Sequence, residues 1–504
     1  MKGALLLITL VLFIALCSIT SCVHNPQVTV VLPDGGYPDS IAKIILNKCT
    51  YSGCHNQASY QTAGELQLDS WDHLFQGASF GAAVVPYSAN LSPLLFYCNP
   101  DSTLGTRIND PIHFNKHPLP TIAEYLTLAR WVSSGAPDKN GAIPFASDPD
   151  TRQKIYLTIS GCNLIAVIDA KSKQIMRYIP VGTYPGNESL HDVEISADGR
   201  YGYLSFFNGT FMQKIDIRTD TVINTLNLAG AAVAGQGAWS VFYMSPADTA
   251  IMLSGMMANG YIITANTAAM HINEHASVDQ LSGGTSAFNY PHGLTSNAAF
   301  DTFYATMQND NRIVKFSFNN VGLNSPQYIN VATPAIPPAY PHQIQMSPDY
   351  TRYFVTCQQT NELRVFDRAT DTVIKVLPVG AKPQEMAISK SKQYLFVVCM
   401  EDASNTRAGA RGSVYVFDYI TLQPVTILYG DFYQPHDITV DEQDGLLYIC
   451  NTNSSPNGPA PHHVSGSCNG RPGWYTVYNL NTLQMDNKRY EVSVFPYAIA
   501  ARFK

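Results

Sequence analysis

Charge is scarce in this sequence. Asp, Glu, Lys and Arg together make up 14% of its 504 residues, the formal net charge is -7, and no block of Lys or Arg stands out. A chain without a basic stripe lacks the electrostatic footprint of nucleic-acid binding, and anionic lipid surfaces are poor partners for the same reason. Also missing are a Gly-rich phosphate loop, a nucleophile elbow and an HExxH helix, which sets aside three common kinds of enzyme site. After the first twenty or so residues no apolar run is long enough to span a bilayer. The ten cysteines are scattered, which is not the spacing of a small disulfide scaffold. No Met occurs between residues 2 and 175, so a thioether ligand is absent from that whole stretch. What the chain does have is 45% hydrophobic residues, 29 Tyr, and β-branched and aromatic runs that recur to its end. That composition suits an ordered, β-rich protein, and its length exceeds one ordinary core unless the fold is a closed repeat.

The first residues, MKGALLLITLVLFIALCSITSC, carry one Lys and then an apolar run, the pattern of an export signal. The segment Ile19-Thr20-Ser21-Cys22 resembles the lipobox of bacterial lipoproteins. The resemblance implies a signal peptide over 1–21 and a diacylglyceryl group on Cys22. The expected location is then the cell envelope, lipid-anchored and facing the periplasm. No Asp follows Cys22, which leans towards the outer membrane rather than the inner one. Contact with the membrane is expected through the lipid alone. An ordinary cleaved signal or an N-terminal anchor helix is the plainer alternative.

A linker is expected over 22–39, followed by a small unit of helices and loops over 40–140. Its first helix is SIAKIILNKC from Ser40, and its last is TIAEYLTLARWVSSGAP, with Thr121 as N-cap, Glu124 three residues on, and a stop at Gly135 and Pro137. Directly after the first helix comes Cys49-Thr50-Tyr51-Ser52-Gly53-Cys54-His55. Two thiols followed at once by His is what covalent haem c requires, the thiols adding to the vinyl groups and the His ligating iron. Here four residues separate the cysteines where two are usual, a spacer that also occurs among c-type cytochromes. A Cys49–Cys54 disulfide or an incomplete zinc site would use the same residues.

The stretch from His117-Pro118-Leu119-Pro120 to Trp131–Pro137 resembles the end of bacterial cytochrome c domains. In that family a Met-Pro supplies the sixth iron ligand ahead of such a helix, and this chain has His117 where the Met would stand. The resemblance implies haem held by Cys49, Cys54 and His55, with His117 as candidate distal ligand and His113 and His73 as alternates.

From residue 152 to 504 a repeat of roughly 40 to 55 residues takes over. Its copies open at His191, Ser240, His292, His342, Gln384 and His436, and each continues into strands such as YFVTCQQ and then an aspartate-led turn. The region begins with three strands that lack a first, and ends at Phe495-Pro496-Tyr497 with a first strand and nothing more. Joined, the two ends make one blade and bring the total to seven. These repeats resemble the YVTN family of β-propellers, echoed in Tyr156-Leu157-Thr158 and Phe354-Val355-Thr356. The expected fold is an all-β seven-bladed β-propeller with a small N-terminal α-helical, cytochrome c-like domain. Cys450 and Cys468 flank a Gly/Pro/Asn-rich insertion that a disulfide would staple.

Inner strands of a propeller line its central channel, so the first residues of the seven blades form a ring: His191, Ser240, His292, His342, Gln384, His436 and Tyr497. Four converging imidazoles suit copper or iron, which makes His191, His292, His342 and His436 a candidate metal or substrate site. The plainer alternative is that Pro-His-x-Ile is simply how a blade begins. The expected function is electron transfer by an exported haem protein, as a possible oxidoreductase, with the propeller docking a redox partner protein or housing a redox site. The alternative from another class is a non-enzymatic binding scaffold of the cell envelope.

Overall fold

A computed structural model describes residues 34–116, 119–186, 188–229, 238–256, 260–276, 288–319, 322–332, 338–452, 473–486 and 488–503. The signal segment, Cys22, His117 and Cys468 lie outside the described residues. Among the described residues no helix is long and apolar enough to cross a membrane.

The repeat region forms seven four-stranded antiparallel sheets, the blades of a propeller. Six of them run in sequence order. The seventh joins strand Pro496–Ala501 from the end of the chain to strands Lys154–Ile159, Leu164–Asp169 and Gln174–Pro180. Its seam is an antiparallel ladder with Leu157 opposite Ile499 and Ile155 opposite Ala501. This closure removes the two open edges that a linear array of sheets would leave.

The outer two strands of a blade meet at the expected aspartate-led turn. Asp216 Oδ1 accepts from the amides of Arg218 and Thr219, and Asp418 Oδ1 from those of Ile420 and Thr421. The last turn residue then takes a left-handed φ, as at Asp220 (54°), Asp371 (53°) and Leu422 (58°). The side-chain acceptors satisfy amides that the tight turn would otherwise strand.

A second device links each blade to the next. Ser254 Oγ donates to the carbonyl of His292 (3.4 Å), Thr306 Oγ1 to that of His342 (2.6 Å), and Ser205 Oγ to that of Ser240. These hydroxyls occupy the place of Thr158 and Thr356 in the YVTN-like strand, and each ties it to the first residue of the following blade. Cys450 fills the same place, its Sγ donating to the Tyr497 carbonyl at 3.1 Å. The expected Cys450–Cys468 disulfide is therefore corrected. Cys450 is a buried free thiol committed to this tether, whereas Cys162 is disulfide-bonded.

The helical unit has five α-helices: α1 (Asp39–Lys48), α2 (Trp71–Leu74), α3 (Pro93–Cys98), α4 (Pro111–Lys116) and α5 (Ile122–Ser133). Thr121 and Glu124 close the expected capping box on α5. Tyr37, Ile41, Ile45, Leu128, Trp131 and Val132 form its core, where α1 packs against α5. Residues 34–39, which composition places in the linker, belong to this unit. Tyr37 is fully buried, and its hydroxyl donates to the carbonyls of Leu68 and Ser70. The unit also touches the propeller, the Glu491 amide donating to the Phe80 carbonyl at 2.8 Å.

One buried carboxylate makes stability depend on pH. Asp441 Oδ1 accepts from Gln153 Nε2 at 2.7 Å, whereas Oδ2 is buried without a hydrogen-bond partner, and burial pushes the group up to about 6 from 3.8. The folded state therefore holds its proton to a higher pH than the unfolded chain. Its contribution is complete below about pH 4 and falls as pH rises towards 6, by roughly 2–3 kcal/mol. Urea denaturation at pH 4.5 and 7 should show Asp441→Asn gaining on the parent by about that amount at the higher pH. An equal difference at both would assign the pH dependence elsewhere.

Candidate functional site

The helical unit presents the first candidate site. Helix α1 ends at Cys49, whose amide still donates to the Ile45 carbonyl. The chain then folds back, with the Cys54 amide on the Tyr51 carbonyl (2.9 Å) and the His55 amide on the Cys49 carbonyl (3.1 Å). One compact turn thus holds both thiols and the imidazole. Both cysteines are free, so the disulfide alternative is not formed. Among the described residues no further His, Cys, Asp or Glu completes a metal-binding group with them. Burial pushes the Cys49 thiol up to about 12.

His55 Nδ1 lies 3.0 Å from the Leu66 carbonyl oxygen. That contact fixes the ring and favours the tautomer with hydrogen on Nδ1, leaving the Nε2 lone pair for a ligand. Burial lowers the His55 pKa, so the ring is neutral near pH 7. Of the two expected distal candidates among the described residues, His113 lies beside His55. Their ring centroids are 6.0 Å apart and their planes within 17°. His113 Nδ1 is held by Asp110 Oδ2 at 2.9 Å, which again leaves Nε2. His73 Nδ1 is likewise held, by Asp69 Oδ1 at 2.7 Å.

The propeller channel presents the second. All seven ring residues are buried, and the imidazoles follow one another around the wall. Ring centroids are 3.9 Å apart for His292 and His342, 6.2 Å for His191 and His292, 4.8 Å for His191 and Tyr497, and 3.8 Å for Tyr497 and His436. His436 Nδ1 lies 3.1 Å from the Tyr497 carbonyl. Two residues before each ring position the backbone turns left-handed, from Ser189 (54°) through Tyr290 (55°) and Tyr340 (52°) to Phe495 (65°). Pro precedes five of the seven and fixes the approach to the channel.

The pairing register slips at every ring position, as between Pro291 and Leu294, Pro341 and Ile344, Pro383 and Met386, and Pro435 and Ile438. Each slip is a β-bulge, which breaks the alternation of a strand and lets two consecutive residues face one way. Asp192, Glu385 and Asp437, each directly after a ring residue, consequently line the same pocket as His191, His436 and Tyr497. This pocket has a volume of about 440 Å³. The sequence analysis missed the acidic ring, although the pairs His191-Asp192, Gln384-Glu385 and His436-Asp437 repeat it at a fixed place in the blade. Burial pushes Asp192 and Glu385 well above the usual carboxylate range, and neighbouring acids push in the same direction.

No protein-family model and no curated protein matches the chain. Solved structures do. A candidate 6-phosphogluconolactonase from Bacteroides uniformis ATCC 8492 is similar over 70% of this chain and 100% of its own, with a TM-score of 0.50 and 10% identity. A functionally unknown protein from Desulfotomaculum acetoxidans DSM 771 is similar over 69% of this chain and 100% of its own, with a TM-score of 0.49 and 10% identity. The dihydro-haem d1 dehydrogenase NirN, in complex with DHE, is similar over 84% of this chain and 94% of its own, at a TM-score of 0.44 and 12% identity. At such identities likeness speaks to fold alone, and what this chain shares is the seven-bladed propeller.

Proposed function

We propose that this chain is a c-type haem protein of electron transfer, lipid-anchored at Cys22 in the cell envelope, whose propeller docks a redox partner protein or houses a redox site. The observation that carries the reading is the turn at Cys49–His55. Two unbridged thiols and an imidazole with Nδ1 already engaged sit together at the end of a helix packed on the Trp131 helix. Haem bound there would supply reversible one-electron chemistry at iron. Cys49 and Cys54 would hold the porphyrin covalently, and His55 Nε2 would be the proximal ligand.

For the distal side we take His113, whose ring lies beside that of His55, with His117, outside the described residues, as the alternative. The rings of His55 and His113 have centroids 6.0 Å apart and are each tethered through Nδ1, so the two residues would hold the iron as a pair. Two imidazoles favour the ferric state more than a His/Met pair does, so a low potential is expected.

The test is a reduced-minus-oxidised spectrum of the purified protein together with a haem stain after denaturing electrophoresis. A c-type band that survives denaturation is expected, abolished by Cys49→Ala with Cys54→Ala. His113→Ala should convert a low-spin spectrum to high-spin, while His117→Ala leaves it low-spin; the reverse pair would restore His117 as ligand. A haem-free protein in which both thiols react with a thiol reagent, or prove bridged to each other, would leave a tethered propeller scaffold instead.

A further inference from the structure

We propose that the propeller channel binds one divalent first-row transition-metal ion between His292, His342 and Glu385. This goes beyond the haem reading and stands or falls without it. It also differs from a site made of the four ring histidines, because a carboxylate from the neighbouring blade takes the place of His191 and His436.

The three residues come from three successive inner strands, Pro291–Ser296, Pro341–Met346 and Pro383–Ser389. One ligand atom from each lies within 4.8 Å of the other two, a grouping not met elsewhere among the described residues. His342 Nδ1 faces Glu385 Oε1 at 3.7 Å, too long for a hydrogen bond. Donor atoms around a tetrahedral ion bound at about 2.1 Å sit about 3.4 Å apart. This pair therefore needs almost no movement, and small side-chain rotations close the trio.

The surroundings hold the donors in place. Gln343 Nε2 donates to Glu385 Oε2, which orients the carboxylate and leaves Oε1 towards His342. Thr306 accepts from the Gly293 amide at 2.8 Å and donates to the His342 carbonyl at 2.6 Å, locking the two imidazole-bearing strands together. Gly293 is what permits that approach. It stands where three other blades carry an acid (Asp192, Glu385 and Asp437), and a Cβ there would lie 2.6 Å from the His342 carbonyl oxygen.

Charge points the same way. Asp192, Glu194, Glu385, Asp437 and Glu442 line the pocket, with Lys390 as its one basic lining residue. A cation at the trio offsets the cost of gathering these carboxylates away from bulk water. Two imidazoles and one carboxylate select a borderline transition metal over Mg²⁺ or Ca²⁺, which prefer oxygen. Three protein donors leave further coordination positions for water or a small-molecule ligand, and Glu385 also lines the pocket of about 440 Å³.

The experiment is zinc titration by calorimetry on the chelator-treated full chain, paired with elemental analysis of the untreated protein. One Zn²⁺ per chain is expected, at sub-micromolar affinity and in excess of any haem iron. His292→Ala with His342→Ala should abolish uptake, and Glu385→Gln should weaken it at least tenfold. Glu385→Gln is near-isosteric, and matching thermal melts establish that each variant is folded. His436→Ala should leave affinity unchanged. Two results overturn the proposal: no zinc bound by a folded chain, or binding indifferent to Glu385→Gln but lost with His191→Ala and His436→Ala. A chain without haem that still takes up one zinc would sink the electron-transfer reading and leave this one standing.

Discussion

Asp220→Ala should destabilise the propeller by about 3–5 kcal/mol, more than any other single ion-pair deletion among the described residues. Asp220 ends an outer turn of the blade that opens at His191, and Lys154 begins the second strand of the closing blade. Lys154 Nζ donates to Asp220 Oδ2 at 2.8 Å and to the Ile217 carbonyl at 2.7 Å, and the Tyr156 hydroxyl donates to Asp220 Oδ1 at 2.5 Å. The side chains of Lys154 and Asp220 are 2% and 1% exposed. Burial lowers the Lys154 pKa despite the carboxylate beside it, which shows how costly this ammonium is to keep charged. Removing Asp220 leaves that charge and the tyrosine hydroxyl with only the Ile217 carbonyl, and takes the carboxylate from Arg177 Nε 3.3 Å away, at the joint where the two chain ends meet. Replacing Lys154 and Asp220 together by apolar residues, Lys154→Met with Asp220→Leu, should restore part of the loss, because their desolvation cost goes with their charges while Arg177 keeps its own. Lys315 and Asp371 form the same kind of staple three blades on, at 2.6 Å but 24% and 15% exposed. Lys315→Met should therefore cost about 1 kcal/mol or less. Urea midpoints of the three variants and the parent decide the matter. If Asp220→Ala lies within 1 kcal/mol of the parent, this buried pair does not hold the joint.

Much of this architecture could be read from residues alone, and the reasons are physical. A blade is a local unit of about 45 residues, so its strands and turns repeat as a pattern and need no long-range information. The closing blade was legible because a first strand was missing at one end and left over at the other. The histidine ring followed from Pro-His at the start of successive blades. The acidic ring did not, because strict alternation places His and the next residue on opposite faces, and only the bulge at each ring position overrides it. Cys450 was misread for a related reason. Its flanking insertion drew attention to a disulfide, whereas its register with Thr158, Ser205, Ser254, Thr306 and Thr356 marked it as a blade-to-blade tether. In the helical unit, sequence order put His117 first because it stands where a methionine ligand would, with His113 and His73 as alternates, and His117 lies outside the described residues. Proximity of His113 to His55 depends on how the 50–66 loop and α4 fold over each other, which no spacing reports.

Removal of residues 493–504 should cost the propeller most or all of its net stability. Strand Pro496–Ala501 is buried along its whole length and is the inner strand of its blade, with Tyr497 between His191 and His436 in the channel wall. Burying Ile499 and Tyr497 contributes roughly 1.5–3 kcal/mol each, before the alanines and the ladder to Lys154–Ile159 are counted. Arg502 then locks the end. Its guanidinium donates to the carbonyls of Gly199 (2.9 Å), Pro149 (2.9 Å), Arg152 (2.8 Å) and Asp150 (2.6 Å), which lie on both sides of the seam. Hydrogen bonds from a charged donor are worth about 1.5–3 kcal/mol apiece when buried, and domains are stable by only about 5–15 kcal/mol in all. The truncated chain would also expose the inner edge of Lys154–Ile159, a ready template for pairing with another copy. The expected result is a chain that associates or melts far below the parent. A synthetic peptide of residues 493–504 should restore a monomer with a peptide-dependent melting temperature by adding the missing strand. A truncated monomer that melts within a few degrees of the parent and ignores the peptide would show that six blades and the helical unit hold the ring closed without the terminal strand.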